Sequence, residues 1–313
     1  MLAALARANE GTAGAYGEDD WTARVEKRLQ EVFEIPCRAF PVVTGTAANA
    51  LSLSLLASPL GTIFCHEEAH IQVSECGAVG AFTGGATLMP LPGDHGKLAP
   101  ETLSQALRYH PDPGLGIPAA LSLTQITEAG TVYGTGEVAA LAETARAAGM
   151  GVHMDGARFA NALVALGCSP AEATWKAGVD LLSFGATKNG ALMADAIVVF
   201  RPELAETLEY RRLRGGHLLS KLRFVSAQLE AYLADGLWLR LAAQANAMAK
   251  RLSEGLAEVP GVELLHPVEG NEIFCRLPAD LAEGLAELPD AALSHPVEAN
   301  EIFVTLPEPV IQG

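Results

Sequence analysis

Two segments of the sequence carry a lysine and an aspartate of the kinds used in carbonyl chemistry. Lys188 lies in SFGATKNG (183–190), directly after an apolar run, and small residues rather than acids flank it. A lysine that is partly shielded from water is the type that forms Schiff bases with aldehydes. Asp155 in HMDGAR (153–158) follows another apolar run, where a carboxylate can hold a cationic ring nitrogen. An exposed loop lysine and a helix-capping aspartate are the alternative interpretations.

Two further features can bind anions. The segment TGTAAN (44–49) joins a predicted strand to a predicted helix, and a helix start presents free N–H groups and a partial positive charge. Gly45 and Thr46 would let a phosphate approach closely, although strand–glycine–helix turns also occur without a ligand. The turn is not a Walker A loop, because no Gly-Lys-Ser/Thr sequence follows it. Arg158 can bind a carboxylate through two parallel hydrogen bonds.

Two histidines follow a predicted strand in CHEEAH (65–70). His66 and His70 are four residues apart and would face the same way on a helix, as a pair of metal ligands does. We do not favour a zinc site here, and we predict no metal. His70 as an aromatic plate against a flat ring is the better functional hypothesis.

Taken together, these sites match the parts of one cofactor. The cofactor is pyridoxal phosphate. Its phosphate corresponds to the turn at 44–49, and its ring face corresponds to His70. Its pyridinium nitrogen corresponds to Asp155, and its aldehyde corresponds to Lys188. Asp155 and Lys188 are 33 residues apart, about the length of one strand–helix–strand unit. The sequence therefore predicts a pyridoxal phosphate pocket.

The elements that position these residues can be predicted from the apolar pattern. Helices are predicted over 47–57, 137–148 and 169–177. Residues 203–257 predict a long helix with a break at Gly215-Gly216, which leads into a smaller C-terminal domain. Seven continuous apolar runs, typical of strands covered on both faces, predict strands at 39–43, 62–65, 86–91, 119–123, 151–154, 180–184 and 196–200. The alternation of strands and helices predicts an α/β fold with a largely parallel, helix-covered sheet.

The composition narrows the class of protein further. With 313 residues, 50% of them hydrophobic, the chain is typical of a globular protein of two domains or of one large α/β unit. Its formal charge of −16 disfavours nucleic-acid and membrane-surface binding, and we recognise no signal peptide or membrane-spanning run. Scattered cysteines without a C-x-x-C pair predict reduced, mostly buried thiols and a cytoplasmic location. They are Cys37, Cys65, Cys76, Cys168 and Cys275.

The C-terminal part contains an internal repeat. HPVEGNEIFCRLP (266–278) recurs as HPVEANEIFVTLP (295–307), with ten of thirteen positions identical at an offset of 29. Two copies are too few for a solenoid, which needs about three or more units. We interpret the repeat as a partial duplication.

Several motifs together resemble one enzyme family. The chain is similar to the low-specificity L-threonine aldolases, especially the phenylserine-aldolase-like members. These belong to the β-eliminating lyase branch of the fold type I pyridoxal phosphate enzymes, which share the aspartate aminotransferase fold. The resemblance covers about residues 5–280. The matching motifs are YGEDDWT (16–22), TGTAANAL (44–51), CHEEAHI (65–71), ECGA (75–78), HMDGARFANAL (153–163), TWKAGVDLLSFGATKNG (174–190) and SKLRFVSAQ (220–228).

The resemblance implies a role for each candidate residue. Lys188 would form the Schiff base with the cofactor, and Asp155 would pair with its ring nitrogen. His70 would stack on the ring. Arg158 would reach the cofactor's phenolic oxygen or the substrate carboxylate. The phosphate would be bound by Gly45 and Thr46.

The implied reaction is the retro-aldol cleavage of L-threonine, L-allo-threonine or phenylserine-like amino acids to glycine and an aldehyde. A base must remove the β-hydroxyl proton. Some relatives place a histidine where this chain has Glu128, which leaves His66, Glu128 or a water molecule as the base. Another reaction on the same fold, such as β-elimination or amino transfer, is the alternative, as is a truncated homologue with impaired catalysis.

The resemblance also implies domains and partners. Residues 20–210 would form the large cofactor-binding domain, and 1–19 with 211–313 the N-terminal segment, the long helix and a small C-terminal α/β domain. Family active sites lie at a dimer interface, so we expect a homodimer or homotetramer. The basic cluster Arg211–Arg214 would reach a neighbour's phosphate or form a solvated helix face.

Two family features do not appear at their expected places. Members usually carry Ser-Asp-Asn about twenty residues before the Tyr-Gly motif, and a late strand with a carboxylate-binding arginine. The second repeat copy stands where that late strand should begin. We therefore expect a complete cofactor pocket, a truncated small domain and a substrate pocket that lacks two walls.

Overall fold

A computed structural model describes residues 1–110 and 112–278, together with the backbone of 292–293 and 304–305. Seven strands form one sheet: Arg38–Val42 (β1), Gly61–His66 (β2), Thr87–Leu91 (β3), Ile117–Thr124 (β4), Gly151–Gly156 (β5), Leu181–Gly185 (β6) and Asp195–Val199 (β7). Each of them overlaps one predicted strand, so the seven strand predictions are confirmed.

The direction of the strands brings several chain segments to one edge of the sheet. The strand order is β1-β7-β6-β5-β4-β2-β3, and β7 is antiparallel to both of its neighbours while the other pairs are parallel. Asp155 near the end of β5 pairs with Ser183 of β6. Asp195 begins β7 and pairs with Gly185 at the end of β6. The ends of β5 and β6 and the start of β7 therefore meet, as at the ligand-binding edge of open α/β sheets.

Helices pack against this sheet. The α-helices are Leu2–Ala8 (α1), Asp20–Phe33 (α2), Gly45–Leu56 (α3), His70–Val73 (α4), Ala78–Thr83 (α5), Pro100–Leu107 (α6), Thr135–Ala147 (α7), Phe159–Leu166 (α8), Leu208–Arg214 (α9), Arg223–Leu233 (α10) and Leu237–Ala257 (α11). Every residue of β2, β6 and β7 is buried, as expected of strands that are covered on both faces. Within the described residues, no helix combines the length and the apolar character needed to cross a lipid bilayer.

Two of the three short predicted helices are confirmed as α3 and α7. Each begins two residues before its predicted start, because a local cap fixes the first turn. The Thr44 hydroxyl accepts a hydrogen bond of 3.1 Å from the Ala47 amide at the start of α3. At the start of α7, the Glu137 carboxylate accepts one of 2.6 Å from the Gly134 amide.

The helix predicted over 169–177 is wrong. Ser169 and Glu172 do exchange the two hydrogen bonds of a capping box, as at a helix start. The chain then continues in turns, and only a 3-10 turn at Trp175–Ala177 follows. Gly178 adopts a left-handed φ of +101°, which directs the chain into β6 instead of continuing a helix.

The single long helix predicted over 203–257 is also wrong, because the structure has three helices there: α9, α10 and α11. The predicted break at Gly215-Gly216 is confirmed, since α9 ends at Arg214. A second break separates α10 from α11, where Asp235 and Gly236 adopt left-handed φ values of +50° and +66°. Aspartate tolerates this conformation better than most residues, so composition alone did not indicate the break.

An aromatic cluster fixes these later helices behind the ligand-binding edge. Phe184 of β6 contacts Phe33 of α2, Phe159 of α8, Tyr232 of α10 and Trp238 of α11, with ring centroids 5.7 to 6.3 Å apart. Large aromatic side chains dominate the burial of a core. The strand that precedes Lys188 is therefore held by four helices from distant parts of the chain.

The two copies of the repeat share a backbone element. Glu263–Leu264 (β8) pairs antiparallel with Cys275–Arg276 (β9), and Ala292–Leu293 (β10) pairs antiparallel with Val304–Thr305 (β11). Each strand of the second pair lies 29 residues after its counterpart, which is the offset of the repeat. The duplicated unit thus includes both paired strands and begins before residue 266. The rest of the second copy lies outside the described residues.

Candidate active site

A cavity of about 200 Å³ lies where β5 and β6 end and where β7 and α3 begin. Gly45, Asp155 and Lys188 line it, so the structure brings three of the six predicted site residues into one cavity. The other lining residues are Val43, Thr44, Ala48, Ala157, Ser183, Phe184, Gly185, Thr187 and Asp195. Thr46, His70 and Arg158 are not part of this lining. Thr46 follows Gly45 at the start of α3, His70 begins α4, and Arg158 directly precedes α8.

The N-terminus of α3 forms one wall of the cavity. Gly45 and Thr46 are the first two residues of the helix, so their amides have no intrahelical acceptor. A Cβ atom at Gly45 would have no neighbour within 4 Å, which leaves the approach to these amides open. Free amides and the positive end of the helix dipole together suit a phosphate group.

Asp155 presents a buried carboxylate to the cavity. Its Oδ1 atom accepts a hydrogen bond of 3.0 Å from the Ala157 amide, and its Oδ2 atom accepts one of 2.7 Å from the Asn49 side chain. Two residues earlier, His153 is fully buried and hydrogen bonds with Ser122 and Ser183, each at 2.9 Å. Burial lowers the pKa of His153 to about 4, so this ring is neutral near pH 7 and supports the strand without adding charge.

A hydrogen-bond chain connects Asp155 to His70. The Asn49 amide also donates 2.8 Å to Glu75, and Glu75 accepts 2.9 Å from the His70 ring. The hydrogen bond with Glu75 raises the pKa of His70. The His70 side chain remains 42% exposed, so its ring has an open face that a flat ligand can cover.

Asn49 and Glu75 are functional candidates that we missed in the sequence. Asn49 lies in the otherwise apolar helix GTAANALSLSLL and is 1% exposed, and a polar residue at such a position is an available signal. Glu75 lies in an irregular segment between two short helices. Its partner Asn49 is 26 residues away, and no local pattern indicates that pairing.

Lys188 lies on a 3-10 turn, Thr187–Asn189, directly after β6. The Asp195 carboxylate holds this turn by accepting hydrogen bonds from the amides of Ala186 and Thr187 at 2.9 and 3.2 Å. Burial raises the pKa of Asp195. Lys188 itself is exposed at the cavity, which corrects the expectation of a partly shielded lysine. Its amine forms no hydrogen bond with the described residues and is free to react.

His66 is tied to the backbone through both ring nitrogens. Its Nδ1 atom accepts 3.1 Å from the Glu68 amide, and its Nε2 atom donates 3.0 Å to the Gly93 carbonyl. The ring is buried and has no free lone pair, so His66 is removed from the candidate bases. The letters HEEAH do match the H-E-x-x-H spacing of zinc proteases, but His66 ends β2 and His70 begins α4, so the two are not on one helix.

Glu128 lies beside His70, on the loop that follows β4. Its Oε1 atom accepts hydrogen bonds of 2.7 Å from the His70 amide and 2.9 Å from the Thr124 hydroxyl. The Oε2 atom is buried and has no partner among the described residues. Burial raises the pKa of Glu128 to about 7, and the nearby Asp155 charge adds to the shift. A carboxyl group with these properties can take up or release a proton near neutral pH.

Arg158 forms an ion pair with Glu272, which comes from the first copy of the repeat. The contact joins an Arg158 terminal nitrogen to Glu272 Oε1, and the Arg158 Nε atom is buried without a partner. Burial raises the pKa of Glu272, while the charges of Arg158 and Lys188 act in the opposite direction. The sequence did not indicate Glu272, because its partner lies 114 residues away.

The remaining basic and thiol candidates divide between core and surface. In the Arg211–Arg214 cluster, Arg212 is buried, donates 3.2 Å to the Pro41 carbonyl and lies over the Phe40 ring, so this residue belongs to the core. Only Cys37 and Cys65 are buried, whereas Cys76 is exposed and the other two cysteines are intermediate, so the expectation of mostly buried thiols is wrong. Among the described residues, no cluster of three or more His, Cys, Asp or Glu side chains is arranged to hold a metal ion.

The residues around the cavity fit pyridoxal phosphate. The free amides at the start of α3 suit the phosphate, the Asp155 carboxylate suits a protonated ring nitrogen, and the unpartnered Lys188 amine suits the aldehyde. A Cβ atom at Gly185 would lie 2.6 Å from the Ala157 carbonyl oxygen, so the floor of the cavity requires glycine. All of these groups come from the same edge of the sheet.

Comparisons with known proteins identify the family and the fold. The low specificity L-threonine aldolases of Pseudomonas sp. and Pseudomonas aeruginosa are 44% and 45% identical to the chain over 275 residues, covering 88% of this chain and 80% of each relative. A solved threonine aldolase structure from Leishmania major superposes with a TM-score of 0.89 at 26% identity, covering 97% of this chain and 89% of that one. The predicted α/β fold with a mostly parallel, helix-covered sheet is confirmed. Residues 1–279 match the beta-eliminating lyase family, and the chain belongs to that family.

Proposed function

We propose that this protein cleaves β-hydroxy-α-amino acids by a retro-aldol reaction. The substrates are L-threonine, L-allo-threonine and phenylserine-like amino acids, and the products are glycine and an aldehyde. The identity to proteins named low specificity L-threonine aldolase supports this reaction. The observation that carries the proposal is the environment of Glu128, which lies beside His70. Its carboxyl group is buried, has a free Oε2 atom and has a pKa of about 7. The charge of the nearby Asp155 contributes to that pKa.

The cofactor of this family, pyridoxal phosphate, supplies an electron sink when it is bound. In our proposal Lys188 would hold the cofactor through its aldehyde group, and Asp155 would hold its ring nitrogen. His70 would lie against the ring. The amides of Gly45 and Thr46 would bind the phosphate. Each of these assignments extends the sequence prediction with the geometry of the cavity and its rim.

Arg158 and Glu128 act on the substrate in this scheme. Arg158 binds the amino acid's carboxylate and thereby orients the Cα–Cβ bond. Glu128 Oε2 accepts the proton of the β-hydroxyl group as that bond breaks, so that the β-carbon leaves as the aldehyde. The proton taken from the hydroxyl group balances the one that Cα gains to give glycine. Of the three bases considered from the sequence, we choose Glu128, because His66 has no free nitrogen and Glu128 has a free, buried oxygen.

We also propose the domain division 20–210 for the large cofactor-binding domain, with 1–19 and 211–313 forming the remainder. The seven-stranded sheet, which spans residues 38 to 199, supports this division.

We propose a cytoplasmic location as well. The five cysteines form no disulfide among the described residues, which supports a reducing compartment.

We propose a homodimer or homotetramer as the working assembly. Large apolar side chains near the Lys188 turn and on α9 are exposed: Leu192, Met193, Tyr210 and Leu213. Exposed apolar residues of this size mark interaction surfaces when they form a patch. Light scattering coupled to size-exclusion chromatography measures the assembly, and a monomer at micromolar concentration would contradict the proposal.

Product identification tests the proposed reaction. The purified protein is loaded with pyridoxal phosphate and incubated with L-threonine or phenylserine. Glycine together with acetaldehyde or benzaldehyde is the expected result, whereas ammonia and a keto acid would assign β-elimination instead. Lys188→Ala should abolish both the reaction and the visible absorption band of the bound cofactor. Lys176→Ala is the matched control, because Lys176 pairs with Glu34 at the surface.

A further inference from the structure

Glu272 lies beside Arg158, the residue to which the proposed function assigns the substrate's carboxylate. Its carboxylate pairs with the guanidinium of Arg158, and both side chains are about one-fifth exposed. Lys188 is close enough for its charge to act on Glu272. A carboxylate of the chain therefore stands where the substrate's carboxylate is needed.

Contacts that precede Glu272 and a close backbone approach at Glu272 itself hold its segment in place. Glu269 Oε2 accepts a hydrogen bond of 2.6 Å from the Val132 amide, and the rings of His266 and His95 are joined by one of 2.9 Å. A Cβ atom at Gly130 would lie 3.3 Å from the Glu272 carbonyl oxygen, so the segment packs closely on the loop that carries Glu128. Because the backbone is anchored, only the Glu272 side chain has to move for Arg158 to change partners.

We propose that Glu272 is a specificity-determining residue that acts as an internal competitor for Arg158. An incoming amino acid must replace the Glu272 carboxylate with its own, so affinity for amino acids is lower than the Arg158 contact alone would give. An amine without a carboxylate gains nothing from displacing Glu272. The inference rests on the proposed function, in which Arg158 binds the substrate carboxylate.

A purely positioning role for Glu272 is the alternative, and it makes the opposite prediction. If Glu272 served to orient Arg158, its removal would weaken the binding of amino acids. If Glu272 competes, its removal strengthens that binding. Partly exposed ion pairs contribute up to about 1 kcal/mol, which corresponds to an effect of about fivefold.

The test compares glycine and methylamine as ligands of the protein loaded with pyridoxal phosphate. For Glu272→Gln we expect the glycine Kd to fall about twofold to fivefold, given the strength of such ion pairs. The methylamine Kd should not change, because methylamine has no carboxylate. Both constants are measured by calorimetry and by the change in the cofactor's absorption spectrum. Glu272→Asp, which shortens the side chain but keeps the charge, should give an intermediate glycine Kd and guards against a folding defect in the first variant.

One control variant removes the same charge from the same segment. Glu269→Gln keeps an oxygen that can accept from the Val132 amide, and it should not alter the glycine Kd.

An unchanged or higher glycine Kd in Glu272→Gln would overturn the inference, and so would an equal gain for methylamine. These outcomes are distinct from a failure of the proposed function. That failure appears in the wild-type protein as threonine that is not cleaved to glycine, whatever the Glu272 variants bind.

Discussion

The side-chain amide of Asn49 donates a hydrogen bond of 2.7 Å to the carboxylate of Asp155. The same nitrogen donates 2.8 Å to Glu75, so one neutral amide lies between two buried carboxylates. Like charges repel strongly at short range in a protein interior. Asn49 therefore bridges the carboxylates of Asp155 and Glu75, while Glu75 orients the His70 ring.

Asn49→Ala tests this relationship. Loss of a hydrogen bond to a buried charge costs about 1.5–3 kcal/mol, so we expect the affinity for pyridoxal phosphate to fall about tenfold or more. The Kd is measured by titrating the apoprotein with the cofactor and following its absorbance. Ser54→Ala is the control: this serine is buried on the same helix, but its hydroxyl bonds only the Leu51 carbonyl. Equal affinities for the Asn49 variant and the control would show that Asp155 needs no such partner.

Glu128→Gln tests the assignment of the base. Glutamine retains the size and the acceptor for the His70 amide but cannot take up a proton. General-base catalysis contributes about 10²–10⁴-fold, so kcat for threonine cleavage should fall by that factor while the glycine Kd is unchanged. Since wild-type Glu128 has a pKa of about 7 and acts when ionised, kcat should rise with pH through about 7 and then level off. In Glu128→Gln, kcat should not rise with pH in this range. In Glu68→Gln, which alters an exposed neighbour, the rise of kcat with pH should remain.

The same carboxyl group also links stability to pH. Burial raises the pKa of Glu128 from 4.5 to about 7, so between these values the folded state holds a proton that the unfolded state has released. The free energy of unfolding therefore falls as pH rises through this range, by up to about 3 kcal/mol, and this loss persists above pH 7. Glu128→Gln avoids the loss. Urea denaturation should find the variant more stable than wild type at pH 8 but not at pH 4.5, whereas a difference independent of pH would contradict this account.

The seven-stranded sheet and the positions of Asp155 and Lys188 were predictable from the sequence, because the patterns that indicate them are local. Each strand is a continuous apolar run, and Asp155 and Lys188 directly follow two of them. Parallel strands end at a common edge, so placing both residues in the same cavity required only the strand order. The exposure of Lys188 was not predictable, because it depends on how Asp195 holds the turn after β6.

The residues that tune the site were missed for the opposite reason. Asn49 forms a hydrogen bond with Asp155, which is 106 residues away in the sequence. Glu272 contacts Arg158, which is 114 residues away. Single-sequence patterns carry no sign of such pairs. The opposite error occurred at His66. Its residue type and position indicated a candidate base, but both of its ring nitrogens form hydrogen bonds with backbone groups. Chemical competence of a histidine depends on free lone pairs, which only the three-dimensional structure reveals.

Gly185 tests how closely β5 and β6 must approach to form the cavity. A Cβ atom at this position would lie 2.6 Å from the carbonyl oxygen and 2.7 Å from the Cα atom of Ala157, and both residues line the cavity. Backbone atoms cannot yield as a flexible side chain does, so Gly185→Ala must separate the two chain segments. We expect the free energy of unfolding to fall by about 1–3 kcal/mol, as for overpacked cores, and the cofactor Kd to rise.

The control for Gly185 is Gly255→Ala in α11, where a Cβ atom would have no neighbour within 4 Å. Alanine is the better helix former, so this variant should gain up to about 1 kcal/mol and bind the cofactor as wild type does. Denaturation followed by circular dichroism, together with a cofactor titration, measures both quantities in each variant. If Gly185→Ala behaved like Gly255→Ala, the ends of β5 and β6 would tolerate separation. The close approach at Ala157 would then not determine the shape of the cavity.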